Sequence, residues 1–142
     1  MTVDLAQRVE DRWLISETLS RYAAAYDDGA LDDVAGLMVE EGSEDGRNPA
    51  RGGEWGPYES RAVTIENLKL FKAAEPGPCR HMLTNLIFET LTATDATVRY
   101  YLVMLSGLES GPGIATFGWY RSSLVKRGDA WLLTSKSAYL EA

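Results

Sequence analysis

The hydrophobic period of this chain changes once, at Glu75-Pro76-Gly77-Pro78, and that change limits the folds open to it. Before it, apolar residues recur at helical spacing. Ile15, Leu19, Tyr22 and Tyr26 form the stripe of a helix running from about Val3 to Asp28, with Gly29 as its C-cap. A shorter helix follows, with Leu31, Val34, Leu37 and Met38 on its apolar face and Asp32 and Asp33 in its first turn. Gly42 to Pro57 holds five glycines and two prolines and reads as a long loop. Ser60 to Ala74 returns to helix, with Val63, Asn67, Leu70 and Phe71 along one side. After Pro78 come four segments rich in β-branched and aromatic residues: Arg80 to Thr92, Ala96 to Leu108, Ile114 to Lys126 and Trp131 to Leu140. The short turns between them predict an antiparallel four-strand meander, with room for short edge strands. Helices first and strands after predict an α+β fold in one domain, 1–142, with three helices on one face of the sheet. Strands this long accumulate twist, so the sheet must curve strongly and enclose a pocket beneath the helices.

Charge and cysteine content exclude whole classes of function. Lys and Arg number 14 against 21 Asp and Glu, a net charge of −7, which argues against nucleic-acid and anionic-membrane partners. The single cysteine, Cys79, rules out an intrachain disulfide and a thiolate metal cluster. With one histidine there is no metal-ligand set, and neither a phosphate-binding glycine loop nor Gly-x-Ser-x-Gly occurs. The charged N-terminus has no apolar signal core, and the longest large-apolar run, Tyr100 to Leu105, is too short to span a bilayer. A cytoplasmic protein is expected.

His81 is the only histidine, and it opens the first strand of the meander. It can exchange a proton near neutrality without help. Strand alternation puts His81, Leu83 and Asn85 on one face and Met82 and Thr84 on the other. Tyr22 lies in the first helix's apolar stripe, where its hydroxyl needs a partner and can polarise a carbonyl oxygen. On an ideal helix Asp27 stands about 140° round from Tyr22, so it reaches the same pocket only from the flank. There it can pair with His81 and fix its tautomer. The alternatives stay open: a histidine bonded only to a backbone carbonyl, and an aspartate that caps local backbone. Further pocket candidates are Trp55, Tyr58, Phe71, Tyr100, Met104, Trp119 and Tyr120, with Asn85 and Ser122 as hydrogen-bonding groups. The acidic group Glu40, Glu41, Glu44 and Asp45 reads as a solvated helix end and loop.

The order of motifs resembles a known family. A helix ending Arg21-Tyr22-Ala-Ala-Ala-Tyr26-Asp27-Asp28-Gly29 leads into Leu31 to Met38. Arg80-His81 then opens a strand, and the chain closes through Gly118-Trp119-Tyr120 and Leu124 to Trp131. This is similar to the SnoaL-like group of the nuclear-transport-factor-2-like superfamily over essentially the whole length. The resemblance implies a cone, a curved sheet wrapped over three helices around a hydrophobic cavity, with no organic cofactor and dimerisation through the outer sheet face. Its members include polyketide cyclases, dehydratases, ketosteroid isomerase, limonene epoxide hydrolase and small subunits of ring-hydroxylating dioxygenases. By this resemblance His81 acts as general base or acid, with Asp27 and Tyr22 as helpers. The sequence departs from the dehydratase branch at Tyr100 to Leu105, which lacks that branch's further acidic or histidine group. The epoxide hydrolase set is incomplete at Arg99, and the isomerase base would fall one residue out of register, near Asp45. The resemblance therefore implies a dehydratase, isomerase or cyclase acting on a hydrophobic, polycyclic or polyketide-derived molecule. Its alternatives are a non-catalytic binding or accessory subunit on the same fold, and a cyclase that works by shape alone.

Overall fold

The computed structural model describes residues 4–142. Val3, where the first helix is expected to begin, lies outside them. Three helices, α1 (Leu5–Asp27), α2 (Leu31–Ala35) and α3 (Arg61–Ala74), accompany six strands. The strands are β1 (Met38–Asn48), β2 (Gly53–Tyr58), β3 (Cys79–Leu91), β4 (Asp95–Leu108), β5 (Gly111–Arg127) and β6 (Ala130–Leu140). They form one curved, unclosed sheet in the order β2-β1-β6-β5-β4-β3, with the helices on its concave face. The expected meander is β3 to β6. Among the described residues no helix is long and apolar enough to cross a membrane.

Three expectations need correction. The stretch Gly42 to Pro57 is not a loop but most of a β1–β2 hairpin, and β1 pairs parallel with β6, so the sheet is mixed. Its glycines serve packing and turning. Gly46 faces Trp55 across the hairpin, where a Cβ would lie 2.0 Å from the indole, and Gly52 takes a positive φ of 69° in the turn. Pro57 is tolerated because β2 is an edge strand. Next, α2 ends at Ala35, and Leu37 and Met38 lead into β1. Finally, α3 buries Thr64, Ile65 and Leu68, while Val63 and Leu70 are exposed. The expected stripe was displaced from the buried face by about one residue's rotation.

Helix α1 crosses the concave face and is tied to it by polar as well as apolar groups. Ile15, Leu19 and Tyr22 join Leu102, Leu124, Trp131 and Leu133 in the core. Asp11, fully buried, accepts hydrogen bonds from Trp131 Nε1 (3.0 Å), Lys126 Nζ (3.1 Å) and Gln7 Nε2 (3.1 Å). About two turns further along α1, Thr18 donates to the Trp131 carbonyl at 3.0 Å. Removing the Asp11 carboxylate would strand the Trp131 N–H away from water. Asp11→Ala should therefore lower stability by about 2–3 kcal/mol in urea denaturation. A loss under about 0.5 kcal/mol, the level of an ordinary surface change, would refute this tether.

Candidate active site

The strand registers build the concave face as rows of side chains. His81, Met104 and Thr116 lie opposite one another on β3, β4 and β5. Leu83, Leu102, Gly118 and Leu140 form the next row, and Tyr100, Tyr120, Ala138 and Gly46 the third. Val98, Ser122, Lys136 and Glu44 form the fourth. Roofed by Leu19, Tyr22, Ala23 and Tyr26 of α1, Leu68 and Phe71 of α3, and Trp55 of β2, these rows enclose a cavity of about 230 Å³. In the second row position 118 is glycine because a Cβ there would lie 2.1 Å from the Tyr139 carbonyl oxygen.

At one end stands a histidine–carboxylate dyad. Asp27, the last residue of α1, takes the His81 backbone N–H on Oδ2 (2.7 Å) and faces Nδ1 with Oδ1 (2.6 Å). Burial pushes the Asp27 carboxyl up, but the hydrogen bonds from the His81 ring and backbone outweigh it, and its pKa is lowered. An ionised carboxylate only accepts, so Nδ1 carries a proton and neutral His81 keeps its lone pair on Nε2. Among the described residues no hydrogen bond occupies Nε2. Tyr26 meets the imidazole edge-on, with ring centroids 5.6 Å apart. Burial and the nearby Glu75 push its phenol far up, so it stays protonated.

The other end holds a second buried polar group. Tyr22 donates to Glu44 Oε2 at 2.5 Å, and Lys136 Nζ donates to Glu44 Oε1 at 3.1 Å. Burial first, then the Glu44 carboxylate, holds the Tyr22 phenol well above its ordinary pKa. Its one proton is therefore engaged by Glu44. The Lys136 ammonium also lies 4.0 Å from the Tyr120 ring centroid and 4.8 Å from that of Tyr22. Tyr100 and Ser122 hydroxyls close the wall at 2.8 Å.

Seven of the expected residues line this cavity: His81, Tyr22, Trp55, Phe71, Tyr100, Met104 and Tyr120. Asp27 stands behind His81. Three expected contacts fall elsewhere. Asn85 is exposed at φ 56°, in a bulge where Asn85 and Leu86 together oppose Tyr100, so alternation from His81 stops before it. Trp119 lies on the other sheet face, stacked on Tyr139 at 5.3 Å with Arg99 over its ring, because its neighbour Tyr120 faces inward. Tyr58 packs toward Phe71, with ring centroids 6.4 Å apart, outside the lining.

Sequence reasoning missed Glu44 and Lys136. Glu44 is not solvated but 4% exposed, and Lys136 is 8% exposed. Read as a strand, Gly42, Glu44, Gly46 and Asn48 alternate inward, a signal hidden by the glycine count. Lys136 was masked by a bulge in β6. Leu133 pairs with Leu124 and Ser135 with Ser123, so Thr134 is an extra residue and the inward parity shifts from Leu133 to Lys136.

A family model described as SnoaL-like domain matches residues 7–136. Among solved structures, a cystatin-like-fold protein of unknown function from Nostoc punctiforme superposes with a TM-score of 0.82 at 16% identity, covering 99% of this chain and 96% of that one. A ring-hydroxylating-dioxygenase-like β subunit from Novosphingobium aromaticivorans gives 0.81 at 14% identity, covering 98% and 93%. A scytalone-dehydratase-like protein from the same organism gives 0.73 at 19%, covering 93% and 83%. Likeness at such identities fixes the fold and not the reaction. No curated protein matches the chain in sequence.

The lowered Asp27 pKa makes stability depend on pH in a known direction. The pairing contributes fully above the unfolded carboxylate pKa of about 3.9 and is lost as pH falls through the lower folded value. Urea midpoints taken from about pH 7 down to about pH 3 should fall further for the wild type than for Asp27→Asn. Parallel acid limbs would mean that Asp27 carries no such linkage.

Proposed function

The chain belongs to the SnoaL-like domain family, and on that premise we propose that it is an acid–base enzyme acting on a hydrophobic small molecule. The reaction is a dehydration, a double-bond isomerisation or a ring closure next to a carbonyl. The observation that carries this reading is the Asp27–His81 dyad, its ring set in the wall of an apolar cavity. His81 Nε2 removes a proton from carbon. Asp27 holds the tautomer and balances the imidazolium that forms, and the same nitrogen then returns the proton to a leaving hydroxyl or to another carbon. Both roles need side chains alone. The ring faces of Tyr100 and Tyr120 and the side chains of Trp55, Phe71 and Met104 would hold a flat, largely apolar substrate.

The likeness to a dioxygenase β subunit supports a second reading, an accessory role on the same scaffold. It predicts a cavity filled by its own aromatics. The open chamber and the paired dyad favour the enzyme.

Proton removal can be read before the substrate is known. In D2O the protein should catalyse deuterium uptake at the α-carbon of 2-tetralone, followed by mass spectrometry, and His81→Ala should lower that rate about 10²-fold or more. A folded His81→Ala protein exchanging at the wild-type rate would reject the assignment.

The homodimer implied by the resemblance is also proposed. Met82, Val103 and Phe117 form one row across β3, β4 and β5 on the face away from the helices, and Thr84, Tyr101 and Trp119 form the next. Met82, Tyr101 and Phe117 are exposed there. Sedimentation should give twice the chain mass, with Phe117→Glu reducing it to one. A wild-type monomer at micromolar concentration would rule the dimer out.

A further inference from the structure

We propose that Lys136 takes up the substrate's oxygen as it becomes an anion, so that the cavity binds conjugated carbonyl or phenol compounds with oxygen toward Lys136 and the reacting C–H, at the far end of the conjugated system, toward His81. This rests on the acid–base reading above and adds the class of substrate and the residue that recognises it.

Lys136 sits beside Glu44 in the fourth row, three rows from His81 and in the same cavity wall. It is the only lysine or arginine among the lining residues. An ammonium carries three N–H donors, yet one oxygen, Glu44 Oε1, accepts from it. Its ammonium also lies over the ring faces of Tyr120 and Tyr22. Ring faces hold a cation but leave its N–H groups without oxygen acceptors. An oxyanion in the cavity would meet both needs, in surroundings with little water to compete.

Tyr22, expected to hold the substrate oxygen, has its proton on Glu44, and Tyr100 is engaged with Ser122. As His81 Nε2 takes a proton from a carbon at the far end of a system conjugated with the carbonyl, the C–H bond breaks and its electron pair moves into the conjugated double bonds. The carbonyl π electrons move onto oxygen, and that charge is stabilised by Lys136.

The test uses 4-nitrophenol, whose absorption changes on ionisation. Bound to the wild type, its ionisation should move to lower pH than in free solution by about one unit, a tenfold gain in phenolate. Lys136→Met should abolish the shift. That variant leaves Glu44 buried without its partner, so Glu44→Gln/Lys136→Met, which removes both charges, provides the second measurement. No shift in the wild type overturns the proposal, and so does a shift retained in the double variant. His81→Ala separates the two readings. It should lose α-proton exchange and keep the phenolate shift, whereas a shift that vanishes with His81 would place the oxygen at the dyad and end the Lys136 assignment.

Discussion

Helix α1 is held to the sheet by four polar residues, and the site depends on their joint register. Asp11 meets Trp131 and Lys126, Thr18 meets the Trp131 carbonyl, Tyr22 meets Glu44, and Asp27 meets His81. The partners lie on four different strands, β5, β6, β1 and β3. A slip of one residue turns a helix by about 100°, and would leave all four groups buried without partners. Hydrophobic burial alone tolerates such a slip far better. The polar contacts therefore fix where the helix end, and with it Asp27, stands relative to the first row of the sheet.

The cavity between these contacts is selective about charge. Burial raises the pKa of Tyr22, Tyr26, Tyr100 and Tyr120, so each remains a neutral phenol throughout the physiological range. The charged groups in contact with the chamber are those with a nearby counter-charge: Glu44 with Lys136, and Glu75 with Lys72 at 2.7 Å. Asp27 stands just behind the wall, where His81 shields it. A neutral apolar molecule can fill such a space without displacing an ion, and only its oxygen atoms and acidic C–H bonds meet reactive partners.

The period change at Pro78, the α1 stripe and the four long strands were legible because each repeats one signal over many residues. His81 and Tyr22 could be placed for the same reason, and Asp27 could be placed at the flank because a helix end frees it from strict angular spacing. Legibility failed where one residue changes the phase. The bulge at Asn85 and Leu86 turned Asn85 out of the chamber, and the extra Thr134 hid Lys136. Alternation counted from Trp131 would have put Ser135 inside instead. In β1 the obstacle was composition: glycine was read as a turn signal, whereas Gly46 is small so that Trp55 can lie over it.

The lysine–carboxylate pairs Asp11–Lys126 and Glu44–Lys136 differ in burial and in what surrounds them. Asp11 and Lys126 lie outside the chamber, and the same Asp11 oxygen also accepts from Trp131 and Gln7, so that pair is a fastening between helix and sheet. Glu44 and Lys136 lie in the chamber wall, among rings and hydroxyls. A buried ion pair adds little to stability over an apolar pair of the same size, because desolvation offsets the attraction. Glu44 nevertheless removes the donor capacity of Tyr22 and accepts only one of the Lys136 N–H donors. The local arrangement thus places the cavity's positive charge three rows from the base, and a conjugated substrate's oxygen and its acidic carbon, at opposite ends of the conjugated system, are told apart by which end each one faces.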